Sequence, residues 1–388
     1  MRVWFARAYV LLLGVLCAGP AAGQGVIANP GPAAWPPVVG SPSLAPPQPA
    51  PPSSYFPPSD QPAFPSTSVP LTPLPYPQSS GVGAASGSFG GSRAAYRDGP
   101  PQGMVLFYDV DSWRGVGDRG SFFARPSNNE GGSTGFNFAT RLGPVSEMTS
   151  LSFQFGGSYG IYDWNGRPFN AAALTTTQAQ QQVFITTGFF KRADDDSSWS
   201  YGLVHDWMIN QAWGAYAVNP TLGQWRGQIA YALDNSNEIG LWGTLHDKGD
   251  TNLDFFGNSV VTRPLDQGNL FWHHQWEYGG DSWIWIGLPQ SDRLNQFAGG
   301  SLGDYLIGGS YIAPLNDHLS LYANTQYMHA SAAPGPSGYG DASWYIAVGV
   351  QYTVGGNARA KTVAGNSWLP LLPVANNGNF LVDSVRTF

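Results

Sequence analysis

The sequence predicts an all-β fold: one antiparallel up-and-down barrel of the outer-membrane type, with about twelve strands (roughly 10–14). Three observations predict it. First, the stretch Trp344–Val354 alternates with a period of two. Trp344, Ile346, Val348, Val350, Tyr352 and Val354 share one face; Tyr345, Ala347, Gly349, Gln351 and Thr353 share the other. Successive strand side chains point to opposite faces, whereas a helix would scatter the apolar set. Second, a strand of this length tilted about 40° rises roughly 28 Å, close to bilayer hydrocarbon thickness, with aromatic residues near both ends of the apolar face. Third, the connections between such stretches alternate longer and shorter along the chain.

Each strand rests on the same alternation. Met104–Trp113 opens the series. Thr134–Leu142 sets Phe136, Phe138 and Leu142 against Gly135, Asn137, Ala139 and Arg141. Thr149–Tyr162 sets Leu151, Phe153, Phe155, Tyr159 and Ile161 against Ser152, Gln154, Gly156 and Ser158. Gln182–Arg192, Trp199–Ile209 and Leu222–Asp234 repeat the pattern with Val183/Ile185/Phe189, Trp199/Tyr201/Leu203/Trp207 and Trp225/Ile229/Tyr231/Leu233 as the apolar sets. Ser236–His246, Gly268–Tyr278, Asp281–Leu288, Leu302–Ala313, Asp317–Ala330 and Trp344–Val354 complete the series. Asp281–Leu288 departs from it in being apolar on both faces. His205 and His274 fall on faces read as lipid-facing, which predicts a bulge, a register slip or a place near the membrane interface.

The longer connections are residues 114–133, 163–181, 248–267 and 289–301, with 210–221 and 331–342 intermediate. The shorter ones are 143–148, 193–197, 234–236, 279–281 and 314–317. Outer-membrane barrels sort their loops this way, with short periplasmic turns and longer external loops. Both ends of the barrel then fall in the periplasm.

Composition agrees. Charged residues are 11% of the 388, against roughly 25% in soluble domains. Aromatics reach 14% and there are 50 glycines, which suits strands whose outer face meets lipid. The mean hydropathy of -0.18 follows from alternation. No run of 18 apolar residues follows the N-terminus, so no membrane-spanning helix is expected.

Residues 1–23 read as a secretory signal: Arg2 and Arg7 form the positive region, Ala8–Ala18 the apolar run, and Ala21-Ala22-Gly23 the small residues before cleavage. The apolar run is short for an N-terminal anchor. Leu16 before Cys17 does not suit a lipoprotein signal. Cleavage removes the sole Cys and both arginines, moving the net charge from -7 to -9 and excluding disulfides. That acidic balance argues against nucleic acid as a partner. Residues 24–100 hold 18 of the 32 prolines between Pro30 and Pro77, then turn Gly/Ser-rich. They predict a disordered linker that barrel folding does not need, either a spacer or a tether to a cell-wall or envelope partner. The barrel is assigned to residues 101–355. The remaining 356–388 form a tail that lies in the lumen or pairs as an extra strand. Phe388 has the aromatic character of a barrel-assembly signal, although Ser384 and Arg386 interrupt the alternation before it.

On these features the chain resembles the class of bacterial outer-membrane β-barrels. It also resembles an uncharacterised bacterial envelope family with a signal, a Pro-rich segment and a Trp/Gly-rich barrel. The resemblance covers roughly Met104 to Val354 and carries no functional residue with it.

Charges in the barrel plane are expected to face inward and line a pore: Asp109, Asp111, Arg141, Asp206, Arg226, Glu238, Glu277 and Asp304. They either brace the lumen or select solutes. The other inward positions are mostly small, which leaves room for water or for the tail. Asp194-Asp195-Asp196 reads as a solvated turn, not a calcium loop. His273 and His274 are neighbours and so point to opposite faces, which argues against a two-His metal site. The Gly81–Gly91 stretch has no following Lys-Ser/Thr and is no phosphate loop. No cofactor is implied, and no catalytic motif. A lipid hydrolase with His205 on the outer face is the enzyme alternative. The function classes that stand are a narrow solute channel with a polar lumen, an anchor barrel with a plugged lumen, and a soluble secreted β-protein. The channel reading makes outer-membrane lipid and small solutes the partners. It also predicts that Val348→Arg costs about 2–4 kcal/mol and Ala347→Arg less, provided there is space inside.

Overall fold

The computed structural model describes residues 102–387 except 116–128, 164–167, 170–173, 176–178, 194–196, 215, 255, 291–293, 295–302, 331–341, 355–357 and 360–368. The proposed signal, the Pro-rich segment, the triple-Asp turn and Phe388 lie outside the described residues.

Twelve strands close into one antiparallel barrel. They are β1 (Gln102–Arg114), β2 (Asn129–Arg141), β3 (Ser152–Tyr162), β6 (Gln180–Lys191), β7 (Trp199–Gln211) and β8 (Thr221–Ala232), then β9 (Asn237–Lys248), β12 (Gln267–Gln275), β13 (Asp281–Pro289), β14 (Gly303–Pro314), β15 (Leu319–Ala330) and β16 (Ser343–Val354). Each pairs with the next in the chain, and β1 pairs with β16 to close the ring, Val110 opposite Val348. Closure leaves no free sheet edge in the barrel. Short strands β4 (Pro168–Phe169) and β5 (Leu174–Thr175) form a hairpin in one long loop. β10 (Asp250–Leu253) and β11 (Ser259–Pro264) form another, where the sequence reading has only loop.

The alternation sorts the faces as the sequence predicts. Val348 is 58% exposed on the outside, whereas Ala347 is 1% exposed inside. Ile284, Ile286 and Leu288 of β13 point out, and Trp283 and Trp285 on the same strand line the interior. The strand that is apolar on both faces thus gives one face to the outside and one to a cavity.

The short connections gather at one end of the barrel, the turn end, where β1 begins and β16 finishes. Asx chemistry shapes two of them. The Asp234 carboxylate accepts from the backbone N–H groups of Ser236 (2.7 Å) and Asn237 (2.8 Å). The Asn237 amide and the Ser236 N–H hold this carboxyl below the usual carboxylate range. Asn316 Oδ1 accepts from His318 N and Leu319 N, each at 2.9 Å. A third turn closes through Gly279, whose φ of 90° suits a residue without Cβ. The β2–β3 connection is a short helix, α1 (Pro144–Thr149), so β3 begins at Ser152, not at the Thr149 the alternation suggested.

Both misplaced histidines are accounted for. A register shift between Gly223 and Gln224 leaves Asp247 unpaired on β9, and its carboxylate meets His205 Nε2 at 2.9 Å. His274 stands beside the turn end, bonded to Asn237 Oδ1 at 2.9 Å and packed among Trp272 and Trp276.

Candidate functional site in the barrel lumen

Residues 369–381 run through the lumen as a strap. Near the turn end, Ala358 N donates to Asp317 O at 2.7 Å. Arg192, following β6, donates to the carbonyls of Leu369 (3.1 Å) and Pro370 (2.6 Å). Leu372 is gripped by two wall amides. Asn137 Nδ2 and Gln154 Nε2 each donate to its carbonyl at 2.9 Å, and its N–H donates to Gln154 Oε1 at 3.2 Å. Farther in, Ala375 N donates to Thr186 Oγ1 at 3.0 Å, and Asn377 exchanges amide hydrogen bonds with Gln182 at 2.9 and 3.1 Å. Gln224 and Gln267 donate to Asn379 O at 3.3 and 3.2 Å. At the loop end Leu265 N donates to Leu381 O, and the strap becomes β17 (Val382–Thr387), paired with β11. β17 belongs to a separate three-stranded sheet with β10 and β11, outside the barrel ring.

Small wall residues make the strap's path. A Cβ on Gly156 would come within 2.6 Å of Val374 Cγ2, and one on Gly202 within 2.5 Å of Leu372 Cδ1. Irregular backbone in a lumen must still satisfy its polar groups, which the wall amides do.

One charged centre clasps the strap. Arg226 Nε and Nη2 pair with Asp206 Oδ2 (2.9 Å) and Oδ1 (3.1 Å), and Nη2 also donates to Pro373 O at 2.7 Å. Thr186 Oγ1 donates to Asp206 Oδ1 at 2.7 Å, and Gln224 to Oδ2 at 3.1 Å. Both charged side chains are almost wholly buried.

A cavity of about 320 Å³ remains between the strap and the opposite wall. Trp242, Phe271, Trp283, Trp285 and Tyr322 supply its aromatic surface, and Gln275, Asn324, Gln326 and Gln351 its amides. Two buried apolar clusters lie toward the loop end, and Tyr162, Phe184, Val374 and Ala375 of the first also line the cavity. One joins Trp113, Tyr162, Trp213, Tyr345 and Phe380; the other joins Leu265, Leu306, Met328 and Leu381. On β15, for instance, Gln326 lines the cavity while Met328, the next inward residue, belongs to a cluster.

The expected pore-lining charges divide. Asp109, Asp111, Asp206, Arg226 and Glu238 are buried inside the barrel. Asp206 and Arg226 lie in the clasp. Glu238 pairs with His273 Nδ1 at 3.1 Å, His273 Nε2 meets Asp281 at 3.2 Å, and the imidazole stacks on Trp283. Arg141 is half-buried at the turn end of β2. Glu277 and Asp304 do not enter the lumen. Glu277 is exposed in the β12–β13 turn, because β12 ends at Gln275. Asp304 is exposed beside a register shift on β14, with His329 Nε2 at 4.0 Å. Sequence reasoning missed Gln154, Gln182 and the His273–Asp281 contact. It held one usable signal, the doubly apolar face of Asp281–Leu288. On the outer face, His205 bonds to Asp247 and packs against Trp207 and Trp225.

No curated protein matches the chain. In fold it is similar to an outer-membrane channel from Pseudomonas putida F1, with 11% identity over 65% of this chain and 94% of that one and a TM-score of 0.43. It is also similar to the KdgM porin, with 9% identity over 64% and 98% and a TM-score of 0.34. A third likeness is to the Pseudomonas putida toluene transporter TodX, with 8% identity over 68% and 93% and a TM-score of 0.33. Overlaps this loose assign no residue roles. Residues 103–382, from the first barrel strand to the point where the strap leaves the lumen, match a family of unknown function, DUF6666, and the chain belongs to that family.

Proposed function

We propose that this chain is an outer-membrane barrel of the channel type whose lumen is narrowed, and at the loop end closed, by its own C-terminal strap. The observation that carries the reading is the cavity beside the strap, inside a barrel whose outer face is apolar. Ile284, Ile286, Leu288, Ile346 and Val348 form an exterior that a soluble protein would have to cover. The turn end faces the periplasm, where the signal and the Pro-rich segment would deliver and tether the chain. Small solutes enter the cavity from that side.

The two apolar clusters at the loop end favour a second reading, a plugged barrel that anchors the Pro-rich arm. Planar-bilayer conductance separates the two. The full chain is expected to give small, infrequent openings. A chain ending at Val354, checked for a folded barrel by heat-modifiable migration, is expected to conduct several-fold more. Phe380→Ala loosens the first cluster without removing the strap and should raise the frequency of opening. A folded truncated barrel that conducts no better than a silent parent makes the anchor the better reading.

A further inference from the structure

Asp109 and Asp111 stand two residues apart on the inner face of β1, both 4% exposed, and both line the cavity. Among the described residues every side-chain or backbone donor to them is neutral. Asp109 Oδ1 accepts from Ser133 N (3.2 Å) and Ser133 Oγ (2.6 Å), and Oδ2 from the Tyr322 hydroxyl (2.5 Å). Asp111 Oδ2 accepts from the Tyr162 hydroxyl at 2.9 Å. Asp111 Oδ1 is buried and accepts no hydrogen bond among the described residues. Among the described residues no Lys, Arg or His pairs with either carboxylate. The other lumen charges differ: Asp206 has Arg226, and Glu238 and Asp281 flank His273. Two like charges on one strand face, in a lumen of low dielectric, are costly without a cation.

We propose that the Asp109–Asp111 pocket binds the ammonium group of a small organic cation that enters the lumen. This deepens the channel reading and rests on the lumen being reachable. The orphan Asp111 Oδ1 accepts one N–H of the ammonium. The ring of Tyr162 or Tyr322 offers its face to the charge, and the amide oxygens of Asn324 and Gln326 line the same cavity. A divalent metal fits less well. Ca²⁺ or Mg²⁺ needs six or more oxygen ligands and Zn²⁺ three or four side-chain ligands, and among the described residues no three His, Cys, Asp or Glu converge on one point.

The test is calorimetric titration of the folded full chain, in detergent and mildly alkaline buffer, with benzylammonium chloride. Benzyl alcohol is the neutral isostere and KCl the competitor. Benzylammonium is expected to bind at least about tenfold tighter than benzyl alcohol, the low end for a hydrogen bond to a charged group. Asp111→Asn should remove about that factor, while Asp304→Asn at the rim leaves it intact. Asp109→Asn is the second variant, and the parent's preference for the cation over its isostere decides the matter even if neither variant folds. Absent or equal binding of benzylammonium overturns the proposal, as does a folded Asp111→Asn of unchanged affinity. Displacement by equimolar KCl would assign the pocket to an inorganic cation and also overturns it. Binding without conductance would preserve this site and defeat the channel reading; conductance without binding would do the reverse.

Discussion

Arg226→Ala is expected to destabilise the barrel by about 3–5 kcal/mol, the cost of leaving one member of a buried ion pair unpartnered. The loss has three parts. Asp206 keeps only Thr186 and Gln224 as donors, Pro373 O loses a 2.7 Å hydrogen bond, and the methylene stem leaves a void beside the strap. Asp206→Ala should cost a similar amount, because it strands the guanidinium. The double change Arg226→Met with Asp206→Leu should cost less than either single change, since it removes both charges and refills the volume. Urea unfolding in detergent reads the stability. A second measurement follows the strap itself. Arg386, on β17, becomes a trypsin site when the strap loosens, and its cleavage should speed up in both single variants. Single changes costing less than about 1 kcal/mol would mean that the pair is solvated and the strap is held elsewhere.

The ring of strands is legible in the sequence because one physical rule writes it twelve times. A strand with lipid on one side and a lumen on the other must alternate, and it must reverse through a short turn at one end. Trp344–Val354 obeys that rule throughout, and the strand occupies Ser343–Val354. Errors fall where another local interaction competes. Ser146 Oγ accepts from Leu142 N at 2.6 Å and sets up the helical turn of α1, so Thr149 and Ser150 leave the strand. Exposure at the rims hides in the same alternation: Asp304 has inward parity, but the register shift beside it spoils the count.

The strap is not legible for the opposite reason. Leu-Leu-Pro-Val-Ala-Asn-Asn-Gly, residues 371–378, has neither a period of two nor a helical one. Its hydrogen bonds to the wall reach residues 147 to 235 positions away, such as Arg226 and Asn137, and its local bonds form a turn at Asn376 near its end, so little of the path is specified locally. The smallness of the inward residues leaves room for water or for the tail, and at Gly156 and Gly202 it is Val374 and Leu372 of the strap that come close.

That filling changes how the outer face must be tested. Val348, 58% exposed near the middle of β16, should tolerate Arg poorly, at a cost of about 2–4 kcal/mol if hydrocarbon surrounds it. Ala347 cannot serve as the inward control, contrary to the expectation from sequence. It is buried in the cluster that holds Val374, Ala375 and Phe380, so an arginine there would be overpacked whatever lies outside the barrel. Gln351 is the proper control. It has the same inward parity on the same strand but lines the cavity, and a long side chain can extend there. Gln351→Arg should therefore cost about 1 kcal/mol or less. Refolding from urea into lipid bilayers measures the difference. Equal stability of the Val348 and Gln351 variants in bilayers would remove lipid from the outer face. If Val348→Arg were destabilising in bilayers but neutral in a detergent that solvates the arginine, the penalty would belong to the hydrocarbon and not to the strand. The Gln351 variant adds positive charge to the wall that faces the strap, on the strand next to Asp109. It should therefore also weaken benzylammonium binding while leaving the barrel folded, which ties the face assignment to the proposed cation site through one substitution.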